Sequence, residues 1–249
     1  MNRYGLLGHK LSHSSSKVIH EYYFNKNNIL ATYDLIEIEE EELETQIKLL
    51  RSGHYSGLNV TIPYKEKVIK YLDVLTPAAE TIGAVNTLYV KDGMVVGDNT
   101  DYLGFIDELS QFDINVENCD VYVLGSGGAS KGICYALKLL HANPIIVSRD
   151  NKKGITYDML SDIDNLKIVV NTTSVGMYPN VKGEILPREI VEKIDICVDL
   201  ICKPKVTKFL EYSKNGYNGN YMLIYQALHA EILWGNDGNI DVLDLYEKL

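Results

Sequence analysis

The stretch DVYVLGSGGASKG, residues 120–132, decides the fold of the second half of the chain. An apolar run that ends at Leu124 has the length of a buried strand, and a helical pattern over residues 129–141 follows the glycines. In such a strand–turn–helix, Gly125 would permit the tight turn, and Gly127 would let the backbone approach a pyrophosphate at the helix N-terminus. The stretch therefore predicts a dinucleotide-binding loop in a β-α series.

The end of the next predicted strand indicates which dinucleotide binds. Ser148 and Arg149 stand where an NAD enzyme carries an acid that binds the ribose hydroxyls. A guanidinium group suits a 2′-phosphate because of its planar fork and permanent charge, and Lys152 and Lys153 add positive charge. The carboxylate of Asp150 points the other way, since it could bind a 2′-hydroxyl. We predict NADP, and Asp150 leaves NAD open.

The first hundred residues alternate strand and helix patterns, which predicts an α/β domain with a mostly parallel sheet. Strands are predicted at 4–8, 31–38, 57–62, 84–90 and 94–96, and helices at 17–26, 39–51 and 64–72. Asp92-Gly93 is a hairpin signal, and Thr76-Pro77 is typical of an N-cap followed by proline. Beyond the change of motif near Asp101, strands are predicted at 120–124, 144–148, 167–171 and 194–201, and helices at 102–112, 129–141, 222–234 and 242–248.

A second stretch, NVTIPYKE at residues 59–66, carries a candidate catalytic lysine. Pro63 ends a strand pattern and opens a helix, because proline fixes φ and has no N–H. A lysine at such a junction can point into a cleft, whereas a lysine in mid-helix usually points into water. The stretch alone also suits a solvated Lys65, since lysines are mostly exposed.

Composition narrows the class of protein. The chain has 249 residues, 46% hydrophobic and 23% charged, which is typical of a soluble protein with one large domain or two small ones. A net charge of −10 argues against nucleic acid or an anionic membrane as the main partner. The apolar runs are strand-sized, no leader pattern begins the chain, and the four cysteines lack metal-ligand spacing. We therefore predict a cytoplasmic protein without a metal, with monomer and homodimer left open.

Seven motifs, in order along nearly the whole chain, resemble the shikimate dehydrogenase family. They are SHSSS (12–16), NVTIPYKE (59–66), IGAVNTL (82–88), GDNTD (97–101), GSGGASKG (125–132), NTTSVGMYP (171–179) and MLIYQAL (222–228). The resemblance implies an α/β protein with an N-terminal substrate domain, a Rossmann-like NADP-binding domain and C-terminal helices that return to the substrate domain. The implied bounds are 1–101 and 226–249 for the substrate-binding, catalytic domain, and 102–225 for the dinucleotide-binding domain.

The same resemblance implies NADP-dependent reduction of 3-dehydroshikimate to shikimate, with Lys65 and Asp101 as the catalytic pair. The implied substrate-binding residues are Ser14, Ser16, Thr61, Asn86 and Gln226, with Asn59 as a weaker candidate. The implied cofactor-binding residues are Gly125, Ser126, Gly127, Gly128, Ala129, Ser130, Ser148, Arg149, Thr172 and Gly219. Without the resemblance, the serine pair would be explained as a helix N-cap with serine neighbours, and Ser16 could serve in both roles. Asn86 would then be explained as a polar residue at a strand edge and Gln226 as an ordinary helix residue.

These residue types suit that reaction. Hydroxyl and amide side chains can bind the carboxylate and hydroxyls of the ring, and analogues are rejected when such groups are left unpaired. As the hydride arrives, negative charge develops on the carbonyl oxygen, and an ammonium from Lys65 would stabilise that charge and could deliver a proton. Asp101 would hold Lys65 in place. His13 is the alternative acid, although its neighbours suggest that it shapes a loop.

The chain departs from the family pattern at several positions. Lys17 stands where the family usually has proline, Tyr102 replaces a glycine beside Asp101, and Cys202 replaces a tyrosine that commonly reaches the substrate. The tripeptide SRD at 148–150 replaces the commoner NRT. The alternatives left open are a quinate or amino-shikimate dehydrogenase using NAD or NADP, a methylene-tetrahydrofolate dehydrogenase, and a non-catalytic NADP-binding regulatory protein.

Overall fold

The structure is a computed structural model that describes residues 1–163 and 165–249. Its contacts divide the chain into two units. The first unit comprises Met1–Gly104 and Ile224–Leu249, and the second comprises Phe105–Leu223. The assignment of substrate to one part of the chain and cofactor to the other, with the bounds 1–101, 226–249 and 102–225, stays a prediction.

Strands and helices alternate through most of the described residues. The strands are β1 (Asn2–Gly8), β2 (Ala31–Glu37), β3 (Gly57–Val60), β4 (Val74–Leu75), β5 (Thr87–Lys91), β6 (Met94–Asp98), β7 (Asp120–Leu124), β8 (Asn143–Val147), β9 (Ile168–Asn171), β10 (Ile196–Asp199) and β11 (Gly216–Asn218). The α-helices are α1 (Ser16–Lys26), α2 (Leu43–Arg51), α3 (Pro77–Ile82), α4 (Asp101–Gln111), α5 (Gly128–Leu139), α6 (Arg188–Val191), α7 (Lys208–Glu211), α8 (Asn220–Leu233) and α9 (Val242–Lys248). Short 3₁₀ helices cover Glu40–Glu42, Lys67–Tyr71 and Tyr157–Asp162.

The sheet of the first unit has the strand order β2-β1-β3-β5-β6-β4. β1 runs parallel to β2 and β3, whereas β5 runs antiparallel to both β3 and β6. The carboxyl ends of β1, β3 and β6 therefore lie at the same edge of the sheet as the amino end of β5. This edge, which we call the site edge, carries the loops that begin at His9, Thr61 and Asn99.

The sheet of the second unit is parallel, with the order β11-β10-β9-β7-β8. After β7 the chain forms β8 on one side and then returns to form β9 on the other side of β7. In open sheets of this kind, ligands bind outside the carboxyl ends of the strands at the point where the order reverses. The structure thus confirms the predicted α/β class, and it puts the glycine loop after β7 at the reversal point.

Local sequence chemistry explains several element boundaries. Asp92 and Gly93 have φ values of 51° and 77°, which is what a two-residue hairpin turn requires, so the predicted hairpin is confirmed. The Oγ1 of Thr76 accepts the N–H of Ala79 at 3.3 Å, and Pro77 begins α3, so the predicted N-cap is confirmed. None of the helices in residues 1–163 and 165–249 is long and apolar enough to cross a membrane.

The helix predicted over residues 64–72 is wrong in its start and its type. The structure has a 3₁₀ helix over Lys67–Tyr71, and the strand predicted to end at residue 62 ends at Val60. Lys65 lies in the turn between them. Its carbonyl oxygen accepts the N–H of Val85 at 2.8 Å, so it bonds to the segment before β5 and not within a helix. The tyrosine before it is also committed elsewhere, since the Tyr64 hydroxyl donates to the carbonyl oxygen of Ile38 at 2.6 Å.

Candidate functional site

The site edge collects the predicted substrate-side residues from separate parts of the chain. Ser14 and Ser16 follow β1, Thr61 follows β3, Asn86 precedes β5, and Asp101 follows β6 at the start of α4. Because β1, β3 and β6 run in one direction and β5 runs in the other, these termini lie at one edge of the sheet. Residues far apart in sequence are therefore brought to the same region of the first unit by the topology alone.

Lys65 and Asp101 form an ion pair in the first unit. The Nζ of Lys65 donates to the Oδ2 of Asp101 at 2.6 Å, and the side chains are 16% and 7% exposed. The N–H of Asp101 donates to the Oδ1 of Asn99 at 3.0 Å, which fixes the entry into α4. A carboxylate at the first residue of a helix is also favoured by the helix dipole. The pair thus combines an Asp101 carboxylate that is fixed in position with a Lys65 ammonium whose side chain stays slightly exposed to solvent.

Asn86 and Gln226 complete this cluster. The Nδ2 of Asn86 donates to the Oδ1 of Asp101 at 2.8 Å and to the Oε1 of Gln226 at 3.4 Å. The Oδ1 of Asn86 accepts the N–H of Thr100 at 2.7 Å. The Asp101 carboxylate is thus held on one oxygen by Lys65 and on the other by Asn86. Asn86 is 2% exposed and Gln226 9%, so neither is an ordinary surface residue.

The serine loop is a separate part of the same edge. The Oγ of Ser14 donates to the Oγ of Ser16 at 3.1 Å and accepts the N–H of Ser16 at 3.2 Å. The interpretation of Ser16 as an N-cap is wrong, because Ser15 holds that position and Ser16 is the first residue of α1. Thr61 approaches the strand that precedes this loop, since its N–H donates to the carbonyl oxygen of Leu7 at 3.0 Å.

The glycine loop of the second unit packs against the loop after β9. Gly125 has a φ of 108°, and a Cβ there would lie 2.8 Å from the Oγ1 of Thr172. The Thr172 hydroxyl donates to the carbonyl oxygen of Leu124 at 2.7 Å, so it fixes the end of β7. A Cβ at Gly127 would meet nothing within 4 Å. Gly125 is therefore required by packing, whereas Gly127 leaves open space beside the turn.

The first turn of α5 fits a pyrophosphate. Gly127 is the N-cap, no side chain caps this helix, and Gly128, Ala129 and Ser130 form its first turn. The N–H groups at a helix N-terminus and the helix dipole both favour an anion. The described residues at the reversal point of the sheet thus have the geometry that a dinucleotide requires.

The loop after β8 carries the predicted discriminating residues. The hydroxyls of Ser126 and Ser148 lie 3.3 Å apart, which joins the glycine loop to the end of β8. The Oγ of Ser148 accepts the N–H of Asp150 at 3.2 Å, and the Oδ1 of Asp150 accepts the N–H of Lys152 at 3.0 Å. Asp150 is thus used to close its own loop. Arg149 is exposed beside it.

Gly219 and Cys202 have structural explanations of their own. A Cβ at Gly219 would lie 2.8 Å from the carbonyl oxygen of Leu200, so close backbone packing requires glycine there whether or not a cofactor binds. Burial and the nearby carboxyls of Glu108 and Asp199 raise the pKa of the Cys202 thiol well above its usual range. Cys202 therefore stays a neutral thiol at physiological pH.

Within residues 1–163 and 165–249, no group of three or more His, Cys, Asp and Glu side chains is arranged to hold a metal ion.

Sequence reasoning missed several buried polar residues of the hydrogen-bond network that reaches Asp101 through Asn86 and Asn99. They are Tyr33, Thr87, Asn99 and Thr100, each at most 1% exposed. Asn59, a weaker candidate from the sequence, is bonded among them. A polar residue between apolar strand neighbours, as in Leu58-Asn59-Val60, is a signal that finds Asn59, since a buried polar group needs a partner. None of the four missed residues has apolar neighbours on both sides, so this signal does not find them.

A parallel sheet with a glycine loop at its reversal point is typical of a dinucleotide-binding α/β protein, and the largely shielded Lys65–Asp101 pair adds a candidate acid–base site. A sequence model of the shikimate dehydrogenase substrate binding domain matches residues 6–88. A shikimate dehydrogenase (NADP(+)) from Clostridium perfringens is 38% identical over 100% of this chain and 98% of its own length. The chain belongs to the shikimate dehydrogenase family.

Solved structures agree with this assignment. A chorismate mutase/shikimate 5-dehydrogenase fusion protein from Clostridium acetobutylicum superimposes with a TM-score of 0.93 and 38% identity, and the match covers 100% of this chain and 97% of that one. Shikimate 5-dehydrogenase from Thermus thermophilus, in complex with NADP(H) and shikimate, has a TM-score of 0.89 and 28% identity, covering 99% of this chain and 98% of that one.

Proposed function

We propose that this chain catalyses the NADP-linked reduction of 3-dehydroshikimate to shikimate, with Lys65 and Asp101 as the catalytic pair. The observation that carries the proposal is the hydrogen bond of 2.6 Å from the Lys65 ammonium to Asp101, whose other carboxylate oxygen is held by Asn86. Family membership supports the substrate class, because the relatives of similar length are named shikimate dehydrogenase (NADP(+)).

The substrate is held by neutral donors and acceptors. Ser14 and Ser16 present their hydroxyls together, which suits the two oxygens of a carboxylate. Asn86 and Gln226 lie beside the ion pair, where they can bind ring hydroxyls. A site built from such groups rejects analogues that lack a matching hydroxyl, because its buried polar atoms would then lose their partners.

Lys65 stabilises the negative charge that develops on the carbonyl oxygen of the substrate. NADPH, held by the glycine loop and the loop after β8, would supply the hydride for the carbonyl carbon. An ammonium has three N–H donors, and the bond to Asp101 uses one of them, so Lys65 can also donate to the carbonyl oxygen. That donation stabilises the oxyanion and supplies the proton that completes the alcohol. Asp101 keeps the ammonium in place, and Asn86 prevents the carboxylate from rotating away.

The loop after β8 supports NADP over NAD. The Oδ1 of Asp150 accepts the N–H of Lys152, which ties this carboxylate to its own loop. Arg149, Lys152 and Lys153 are exposed around it, and a guanidinium matches a phosphate through two parallel hydrogen bonds. Ser148 lies at the same strand end and contacts Ser126 of the glycine loop.

A steady-state assay tests the proposed function. The purified chain is incubated with shikimate or quinate, each with NADP or NAD, and reduced nicotinamide is followed by absorbance. We expect the highest kcat/KM with shikimate and NADP. Preference for quinate would redirect the substrate assignment to the closest alternative, and turnover with none of the four combinations would reject the enzyme.

Replacing Ser14 with alanine should raise KM for shikimate by roughly 10-fold, with kcat changed much less. A hydrogen bond to a charged group contributes about 1.5–3 kcal/mol, and the lost bond is made to the substrate carboxylate throughout the reaction. Ser12→Ala is the matched control, because Ser12 is exposed in the same loop. An unchanged KM in Ser14→Ala would remove Ser14 from carboxylate binding.

Replacing Arg149 with alanine should raise KM for NADP by roughly 10- to 100-fold and change KM for NAD little. The lost interaction is a charge-assisted contact with the 2′-phosphate, which NAD lacks. Arg188→Ala serves as the control, since Arg188 is an exposed arginine of the same unit that pairs with Glu192. Equal effects of Arg149→Ala on NADP and NAD would contradict a role in 2′-phosphate binding.

A further inference from the structure

Tyr33 is a buried tyrosine of the edge strand β2 whose hydroxyl points at a polar residue. Its side chain is fully buried, and its hydroxyl donates to the Oδ1 of Asn59 at 2.7 Å. Burial raises the pKa of this phenol well above its usual range, so the hydroxyl keeps its proton and remains a donor. The ring stacks on the imidazole of His20, with 4.1 Å between centroids and 7° between planes. The Tyr33 ring is therefore held in place by the stack on His20, and its hydroxyl proton is donated to Asn59.

Asn59 of β3 connects Tyr33 by hydrogen bonds to β5 and to the residue before it. Its Oδ1 accepts from Tyr33, and its Nδ2 donates to the carbonyl oxygen of Asn86 and to the Oγ1 of Thr87, both at 3.2 Å. The two ends of a side-chain amide differ in hydrogen-bonding character, so the donor from Tyr33 and the acceptors opposite it select the same orientation. Without the Tyr33 hydroxyl, the buried Oδ1 of Asn59 loses its donor. Rotation of the amide to find another donor would break the hydrogen bond from Nδ2 to Thr87.

Thr87 completes the path to the ion pair. Its hydroxyl accepts from Asn59 and donates to the Oδ1 of Asn86 at 2.9 Å. The same Oδ1 also accepts the N–H of Thr100 at 2.7 Å, so Thr87 and Thr100 together orient the Asn86 amide with its Nδ2 toward the Oδ1 of Asp101 at 2.8 Å. The four residues that lead to Asp101 are at most 5% exposed, and hydrogen bonds buried in this way are strong and mutually supportive.

We propose that Tyr33 is a positioning residue for Asp101, acting through Asn59, Thr87 and Asn86. The consequence for turnover rests on the proposed function, in which Asp101 holds Lys65 against the substrate. A displacement well below 1 Å at the end of this path would lower kcat, because catalysis depends on the geometry of the reacting groups. Binding of NADP would be unaffected, since the path involves none of the predicted cofactor residues.

The test compares Tyr33→Phe with Thr87→Val and with a matched control, Tyr23→Phe. Tyr23 is 1% exposed in the same unit, and its hydroxyl donates to the carbonyl oxygens of Asn236 and Gly238 instead. Tyr33→Phe and Thr87→Val should each lower kcat by about 10-fold while KM for NADP stays unchanged. Tyr23→Phe should keep kcat within about two-fold of the wild type, even if it lowers Tm as much as Tyr33→Phe does.

Two further measurements separate positioning from general loss of stability. The double variant Tyr33→Phe/Thr87→Val should be no more than about two-fold slower than the slower single variant, because both changes interrupt one path. Losses that multiply, or an equal loss in Tyr23→Phe, would overturn the proposal. Hydrogen exchange of the Asn86 side-chain amide, followed by NMR, should be about 10-fold faster in Tyr33→Phe and unchanged in Tyr23→Phe. Unchanged exchange in Tyr33→Phe would also overturn it. This readout needs no turnover, so an inactive wild type would reject the proposed function and still leave the positioning role decided.

Discussion

Replacing Lys65 with alanine is expected to lower kcat by about 10²-fold or more, because in the proposed mechanism Lys65 supplies both the proton and the cation at the developing oxyanion. The ammonium donates to Asp101 at 2.6 Å and is mostly shielded from solvent, which makes its charge more effective than that of a solvated lysine. KM should change much less than kcat, since the lost interaction is strongest in the transition state. Single-turnover and steady-state rates with shikimate and NADP measure the effect.

Lys67→Ala is the matched control for this experiment. Lys67 lies two residues further along the chain, is exposed, and pairs with Glu40 on the surface of the same unit. A surface pair of this kind contributes little to stability, so Lys67→Ala should keep wild-type kcat and Tm. Lys65→Ala leaves the Asp101 carboxylate without its cation, although Asn86 still donates to it, so Tm is measured alongside. Near-normal kcat in a folded Lys65→Ala would remove Lys65 from the mechanism.

The sequence predicted those elements whose causes are local. The strand Asp120–Leu124 is an apolar run that ends at a glycine turn, and the structure has that strand with the same bounds. The Asp92–Gly93 hairpin and the Thr76 N-cap also depend on residues within four positions of one another. In each case the sequence neighbours supply the hydrogen bond or the φ value that fixes the backbone, so a short window is sufficient.

Features that depend on distant partners were not predictable in this way. Lys65 lies in a turn because its carbonyl oxygen accepts from Val85, which is 20 residues away. The Tyr33–Asn59–Thr87 path requires β1 between β2 and β3, and the register that places Asn59 opposite Thr87. A single sequence does not specify which buried polar residues face each other across strands. The resemblance to a family therefore identified Asn59 and Asn86 as candidate contact residues, but it did not identify Tyr33 or Thr87, which are bonded to Asn59.

Glu108 gives the second large effect, in stability and not in turnover. This residue of α4 has no exposed surface, and its Oε2 accepts the N–H of Met222 at the start of α8 at 2.7 Å. Burial, with a contribution from the negative charge of Asp199, raises the pKa of the Glu108 carboxyl to about 8. The folded protein thus keeps a proton on Glu108 at neutral pH, whereas the unfolded chain has released it.

The sign of the pH dependence follows from this difference. Between the ordinary glutamate pKa and about 8, the native state binds a proton that the unfolded state lacks, so stability falls as pH rises through this window. Below the window the contribution of Glu108 is fully present, and above it the loss is complete. Burial raises the pKa of Asp199 to about 6 although its hydrogen bonds oppose the shift, which adds a loss in the same direction at lower pH.

Glu108→Gln should remove the Glu108 part of this dependence, because glutamine is neutral at every pH and its Oε1 can still accept the N–H of Met222. At pH 5 the variant should be within about 1 kcal/mol of the wild type, and by pH 8.5 it should be more stable by roughly 3–5 kcal/mol, which is the free energy of a pKa shift of this size. Urea denaturation at pH 5, 7 and 8.5 measures the difference between the two proteins.

Glu117→Gln provides the control, since Glu117 is exposed in the same unit and its replacement makes the same change in charge. Its stability relative to the wild type should hardly depend on pH, because the replaced carboxyl lies on the surface and is not buried as that of Glu108 is. The Met222 amide gives a local readout of the same equilibrium. Its hydrogen exchange, corrected for the intrinsic dependence on pH, should lose protection above pH 8 in the wild type and not in Glu108→Gln. A stability difference between Glu108→Gln and wild type that stayed constant from pH 5 to 8.5 would show that Glu108 is ionised in the folded protein throughout, and that α4 and α8 accommodate a buried charge.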